Sequence, residues 1–343
     1  MTTTTPWAPA AAAALADALD HAVRERGVPG GVLVLGDTRA GPAADRSVAA
    51  RGAVAPECGP AAPDEHTRYD LASLTKITAT WALTGRAIAA GLLDLDTPLG
   101  ERFPELPVPG ALLTVRGLLS HSAGLQPETR LDRYLHLDRP LAELLCAERL
   151  VATPGSEHRY INRGFVLLGL LLEAAHRQPL DRLADEMWRE TGMYETEFGP
   201  VQRSPTVAPT EQRLRGAPRT WGIPHDPNAA LLNGVAGHAG VFSTAADLAV
   251  FAEHLLTGDD PWLAASLHPQ IASDPGRSRG LAWLVTDTGV AYHHGYTGTS
   301  LFLSPATGRY VVLLTNAVYH GFSSSRLTPL RDLALAELAG PRT

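Results

Sequence analysis

The sequence predicts an α+β fold: an antiparallel sheet flanked by helices and built from both ends of the chain, with a mostly helical subdomain inserted between the halves. Three observations predict it. Strand-like runs cluster near the two termini, helical periodicity dominates from residue 73 to about 256, and no repeat or low-complexity linker interrupts the 343 residues. The sheet subdomain is expected from residues 1–70 and 275–343, and the helical one from 71–274. The junction between them is the natural place for a cleft.

The elements follow in order. The first six residues, Met1-Thr2-Thr3-Thr4-Thr5-Pro6, carry no basic n-region, so no signal peptide is expected. The alanine run after them, with Leu15, Leu19 and Val23 at helical spacing, reads as a first helix. Residues 30–36 and 47–54 read as strands and 60–65 as loop. Residues 73–92 read as a helix on the spacing of Leu74, Ile77, Thr78, Trp81, Ala82 and Ile88, started by Asp70 or Ser73. Helical patterns recur at 141–150, 163–175, 180–191 and 245–256, separated by Pro- and Gly-bearing connections. The stretch 198–229 is rich in Pro and Arg with little periodicity, and reads as a long functional loop. Strand patterns return at 281–286, 290–293, 299–303 and 309–315, and a helix at 329–338 closes the chain.

Composition bounds the function. A hydrophobic fraction of 45%, a charged fraction of 19% and a net charge of −7 describe a globular chain with a full core. The acidic balance gives nucleic-acid binding no support, and no apolar run is long enough to span a membrane. Cys58 and Cys146 lack ligand spacing and read as free thiols in a reducing, cytoplasmic compartment.

Of the 29 basic residues only one is lysine, Lys76, in Leu71-Ala72-Ser73-Leu74-Thr75-Lys76. Arginine keeps its proton in proteins, whereas a lysine can give it up. Residues i and i+3 share a helix face, so Ser73 Oγ and Lys76 Nζ would project side by side. A serine hydroxyl becomes a good nucleophile when a neighbouring base takes its proton, and a neutral amine can be that base. Ser-x-x-Lys is nevertheless a short pattern. An exposed helix lysine beside an unrelated serine is the structural alternative.

Two further elements could partner the pair. In Tyr160-Ile161-Asn162, a tyrosine could relay a proton and an asparagine amide could hold a substrate carbonyl. In Tyr292-His293-His294-Gly295-Tyr296-Thr297-Gly298-Thr299-Ser300, glycines on a strand permit close backbone approach, and N–H groups there could bind an oxyanion with that of Ser73. A Gly-rich hairpin is the alternative. Trp221 and His225, in the long loop, could line a substrate pocket or simply pack the loop. A Gly-x-Ser-x-Gly elbow is absent. His225-Asp226 with His238 fits no standard metal site, and Gly234, Gly237 and Gly240 form no dinucleotide fingerprint.

The order Ser-x-x-Lys, Tyr-x-Asn, glycine-bearing strand resembles the serine β-lactamase and penicillin-binding protein superfamily. Residues 114–125 (Thr-Val-Arg-Gly-Leu-Leu-Ser-His-Ser-Ala-Gly-Leu), 234–240 (Gly-Val-Ala-Gly-His-Ala-Gly) and 243–248 resemble its esterase and peptidase branch related to class C β-lactamases. The resemblance runs from about residue 12 to about 335. It implies a β-lactamase/transpeptidase-like fold with Ser73 as acylated nucleophile, Lys76 as its base and Tyr160 as the proton shuttle. Asn162 would position the acyl side. The family's Lys-Thr-Gly strand aligns with His293-His294-Gly295, which makes the Tyr296 N–H the second oxyanion donor; Tyr296-Thr297-Gly298 is the competing register.

The histidines depart from that pattern. In β-lactamases the strand lysine helps hold the drug carboxylate and supports the tyrosine's charge, and a cation is not assured when histidine replaces it. The expected function is therefore an intracellular serine esterase or transacylase. It would act on a small-molecule ester or amide, with water, an amine or an alcohol as acceptor, and would need no cofactor, nucleic acid or membrane. The alternatives are a β-lactamase or D-aminopeptidase/D,D-carboxypeptidase-type peptidase and, more remotely, a non-catalytic binding protein on the same fold. The oligomeric state stays open.

Overall fold

The computed structural model describes residues 7–39, 46–214, 216–258 and 260–340. The run Met1–Pro6 and the outermost limits of the expected sheet subdomain lie outside the described residues. The strands are β1 (Gly30–Asp37), β2 (Ser47–Gly52), β3 (Tyr69–Asp70), β4 (Glu197–Phe198), β5 (Val241–Ser243) and β6 (Ile271–Asp274). They continue with β7 (Arg277–Arg279), β8 (Leu284–Thr286), β9 (Ala291–His294), β10 (Ser300–Ser304) and β11 (Arg309–Thr315). One antiparallel sheet has the order β2-β1-β11-β10-β9-β8-β7-β6, and a small one has β3-β5-β4. The two ends of the chain meet where β1 pairs with β11, from Gly31 opposite Thr315 to Asp37 opposite Arg309.

Period-two alternation explains why helices cover both faces. Val32, Val34, Leu301, Leu303, Val312 and Leu314 enter the large core together with Ile77, Phe165, Leu248 and Phe251. Their neighbours Leu33, Leu35, Phe302, Val311 and Leu313 enter a second core. Leu15 and Leu19 of the N-terminal helix Pro9–Glu25, and Leu330 and Ala334 of the C-terminal helix Thr328–Ala339, close that second core. The helix Asn162–His176 is buried on most sides through Phe165, Val166, Leu167, Leu168, Leu171 and Leu172. Thr244 caps the helix Ala245–Thr257 by accepting the N–H of Asp247.

Three departures from the sequence pattern have physical causes. The segment expected as one helix over 73–92 begins as a 3₁₀ turn, Ala72–Leu74, widens to a π turn, Lys76–Trp81, and only then becomes an α-helix, Ala82–Ala89. Outside donors claim carbonyls of the wide turn: Trp188 Nε1 bonds Thr78 O at 2.8 Å and Trp262 Nε1 bonds Trp81 O at 3.1 Å. The apolar run 281–286 is a strand only from Leu284, because Leu281, Ala282 and Trp283 are buried in a turn with Ala282 at φ 71°. The hairpin β6–β7 and the small sheet carry no alternating pattern: they are two to four residues long and partly polar.

No described helix is long and apolar enough to cross a membrane. Cys58 is exposed and Cys146 buried, and both are free.

Trp283 is fully buried and meets the ring of Trp81, the last residue of the π turn, edge-on at 5.5 Å. Trp283→Ala is expected to destabilise the fold by about 3–5 kcal/mol. A guanidinium titration checks this, and a loss below about 1 kcal/mol would contradict the packing described.

Candidate active site

Ser73 follows a sharp bend that its neighbours enforce. Asp70 is fully buried; its Oδ1 accepts the Ala72 N–H at 2.8 Å and its Oδ2 accepts the His225 N–H at 2.6 Å. Burial raises its pKa, against the pull of those two backbone donors. Ala72 sits at φ 47°, in the left-handed region that a β-carbon disfavours by about 1–3 kcal/mol.

The end of β9 is tied to this bend. Thr297 Oγ1 donates to Asp70 O at 2.7 Å and Thr299 Oγ1 donates to Leu71 O at 2.9 Å. A β-carbon on Gly295 would lie 2.3 Å from Leu71 O, so only glycine fits. The backbone of Gly295–Tyr296 is thereby held beside that of Ser73.

Lys76 is buried with its Nζ 2.9 Å from Ser73 Oγ, 2.9 Å from Asn162 Oδ1 and 3.2 Å from His238 O. None of these partners is a carboxylate. The His238 ring meets Asp226 Oδ1 at 2.9 Å, so the pair is an internal hydrogen bond. Burial works to raise the Asp226 pKa. The bond and charge of His238, the Ala229 N–H and Lys76 outweigh it and lower it.

Tyr160 stands at 42% exposure with Lys76 Nζ 4.9 Å from its ring centre and Arg279 Cζ at 5.7 Å. His121 fixes it from behind. The rings are 4.4 Å apart, His121 O accepts the Arg159 N–H at 2.9 Å, and His121 Nδ1 accepts the Ile161 N–H at 3.2 Å. That last bond puts the His121 proton on Nε2. This histidine comes from the Leu-Leu-Ser-His-Ser-Ala-Gly-Leu segment, whose site role the sequence pattern alone did not reveal.

His293 is buried, its Nδ1 bonded to His294 O at 3.0 Å. Burial, then Arg279 and Lys76, push its pKa well below the ordinary value, so the imidazole at this strand end is neutral. The fixed charge comes instead from Arg279 on β7, at 3% exposure. Its Nη1 donates to Ala282 O at 2.8 Å and its Nε to His158 Nε2 at 3.3 Å. Burial lowers the Arg279 pKa to about 10, which leaves it charged at neutral pH. Arg279 has no sequence signal, since it lies on a three-residue polar strand between β6 and β8.

One cavity of about 770 Å³ brings together Ser73, Tyr160, Asn162, Arg279 and the run His293 to Tyr296. Thr297 and Gly298 are not in its wall. His225 lines the cavity too, bonded to Glu211 Oε1 at 2.9 Å and stacked on Tyr296 at 5.3 Å. Trp221 is elsewhere. It faces a separate cavity of about 280 Å³ with Cys58 and Arg203, because it packs on Val201, Val207 and Phe242.

A sheet joined from both chain ends, covered by helices on each face, with a buried Ser–Lys pair beside a strand end, is the β-lactamase/transpeptidase-like architecture. The chain belongs to the beta-lactamase family, whose model matches residues 15–336. It is 26% identical over 314 residues to a putative D-alanyl-D-alanine carboxypeptidase of Escherichia coli K12, covering 77% of this chain and 72% of the relative. Among solved structures it is similar to EstCE1, a hydrolase with promiscuous acyltransferase activity, at TM-score 0.76 and 22% identity, over 95% of this chain and 98% of that one. It is equally similar to a class C beta-lactamase, at TM-score 0.75 and 16% identity, over 98% and 100% of the two chains.

The buried histidines set a pH dependence. Burial lowers the pKa of His121, His293 and His294 well below the ordinary value. Below about pH 6.5 the unfolded chain takes up protons that the fold refuses, so stability is full above that pH and falls beneath it. Each histidine contributes up to about 1.4 kcal/mol per pH unit. Denaturant titrations at pH 7.5 and 5.5 check this, with His121→Asn expected to flatten the slope. Equal or greater stability at the lower pH would contradict it.

Proposed function

We propose that this protein transfers acyl groups from a small-molecule ester or amide through a Ser73 acyl-enzyme to water, an amine or an alcohol. The observation that carries the reading is Lys76 Nζ at 2.9 Å from Ser73 Oγ, with its other partners, Asn162 Oδ1 and His238 O, both neutral acceptors. An amine that donates to those two oxygens has its lone pair left for the Ser73 hydroxyl proton.

Ser73 Oγ then attacks the carbonyl carbon as its proton passes to Lys76. The oxyanion is held by the N–H groups of Ser73 and Tyr296, whose backbones are joined by the Thr297 and Thr299 bonds. Tyr160 hands a proton to the leaving group. It then removes one from the acceptor, which attacks the acyl carbon, and Lys76 returns its proton to Ser73 Oγ as the acyl–oxygen bond breaks. Asn162 orients the acyl side. Burial, with Arg279 second, keeps His293 and His121 neutral. We place this chemistry in the cytoplasm, consistent with an exposed free thiol at Cys58.

A D,D-carboxypeptidase- or β-lactamase-type reading draws on the curated relative and on Arg279 as a fixed cation in the cavity. It uses the same acyl-enzyme. Turnover of nitrocefin or a D-alanyl-D-alanine peptide, compared with p-nitrophenyl esters, separates the two.

Ser73→Ala is expected to lower kcat/KM for p-nitrophenyl esters by about 10³-fold or more. Lys76→Arg should be as inactive as Lys76→Ala, because charge without a removable proton does not supply a base. A fluorophosphonate should add one label, mapped to Ser73 by intact-mass and peptide analysis. Retained activity in Ser73→Ala, or a label on another serine, contradicts the proposal.

A further inference from the structure

The loop 234–240, Gly-Val-Ala-Gly-His-Ala-Gly, enters the acyl-transfer reading only through one carbonyl, yet it runs along the whole turn that carries Lys76. Three hydrogen bonds join the two. Lys76 Nζ donates to His238 O at 3.2 Å, Thr80 Oγ1 to Gly237 O at 2.6 Å, and the Val241 N–H to Thr75 Oγ1 at 3.2 Å. On its other side the loop is pressed against the helix Asn162–His176, where a β-carbon on Gly237 would lie 2.1 Å from Phe165 O. That helix begins with Asn162, the other acceptor of Lys76.

His238 is the fixed point of the loop. Its ring is fully buried and its Nδ1 has no partner among the described residues, so the 2.9 Å bond between Nε2 and Asp226 Oδ1 is the ring's single polar tie. An ionised carboxylate only accepts, which puts a proton on Nε2. Asp226 Oδ1 also accepts the N–H groups of Asn228 and Ala229, at 2.9 and 3.0 Å, and is thereby anchored to the start of the short helix Pro227–Leu231. The chain around His238 is soft by comparison. Gly237 precedes it, and Gly240, at φ 118°, follows two residues later. With glycine on either side, the tied imidazole sets the direction of the 238 carbonyl.

That direction matters for the base. A neutral amine has two N–H donors and one lone pair. Asn162 Oδ1 and His238 O take the two N–H groups, and the lone pair falls on Ser73 Oγ, 2.9 Å away. With the 238 carbonyl turned aside, one N–H is free to point at Ser73 Oγ. An amine that donates to the nucleophile does not take its proton.

We propose that Asp226 and His238 are positioning residues for Lys76: the pair holds the 238 carbonyl against Nζ and so keeps the amine lone pair on Ser73. Their role rests on the acyl-transfer reading. Asp226 also lines the cavity, so the pair joins the cavity wall to the far side of Lys76.

Two rates test it: fluorophosphonate labelling of Ser73 and kcat for a p-nitrophenyl ester, each expressed per active site titrated by the label. A merely weakened fold lowers the number of titrated sites and leaves both rates alone. His238→Leu keeps most of the volume and loses the donor. It should lower both rates by about tenfold or more, with KM changed by less than about twofold. Asp226→Ala should do the same, and Asp226→Asn, which keeps the accepting oxygen without the charge, should recover most of the loss. The double variant His238→Leu/Asp226→Ala should be no slower than His238→Leu, because the two residues act as one unit. Should His238→Leu not fold, the two Asp226 variants decide. Per-site rates within about twofold of the wild type in His238→Leu overturn the proposal, as does an Asp226→Asn as slow as Asp226→Ala. A fluorophosphonate that labels another serine in the wild type overturns the acyl-transfer reading itself, so the two failures are read separately.

Discussion

Two threonine hydroxyls hold the site together. Thr297 and Thr299 reach carbonyls of Asp70 and Leu71 that lie 227 and 228 residues away along the chain. Through them the C-terminal strands clamp the bend that presents Ser73. The clamp dictates its surroundings: Gly295 for lack of space beside Leu71 O, and a buried Asp70 to occupy the N–H groups of Ala72 and His225. It also sustains the positive φ of Ala72, a conformation alanine would leave without support.

The second organising constraint is electrostatic. Arg279, Arg331 and several imidazoles line the cavity, with Lys76 buried behind Ser73, and burial decides which of the imidazoles carry charge. His121, His293 and His294 are held neutral, by burial first and by the neighbouring cations second. The arginines stay charged although burial brings each to about 10. Positive charge therefore sits on β7 and on the C-terminal helix rather than on the histidines of β9. This chain keeps the polarity of its site with residues that cannot act as bases at neutral pH, and leaves Lys76 as its only amine side chain.

Much of this was legible in the sequence. Ser73 and Lys76 share a face because i and i+3 do so in a 3₁₀ or an α turn, and the π turn starts only at Lys76, so their 2.9 Å contact survives. The strand 309–315 and the helix 180–191 were legible to the residue, since each is bounded by turn or cap signals and carries a clear period. What was not legible depends on tertiary placement. Arg279 and Arg331 look like ordinary polar residues until β7 joins the sheet beside β8 and the C-terminal helix packs on β10. Trp221 looks like a pocket aromatic until Val201, Val207 and Phe242 draw it to another surface. The strand histidines looked ambiguous in charge until burial made them neutral.

The account turns on a covalent intermediate at Ser73 whose release needs Tyr160. The most direct test is intact-mass analysis of Tyr160→Phe mixed with a p-nitrophenyl ester and quenched within seconds. The predicted result is one added acyl group per chain, mapped to the peptide bearing Ser73 and decaying more slowly than in the wild type. Turnover with no mass increase at any time, or an acyl group on a residue other than Ser73, would contradict it.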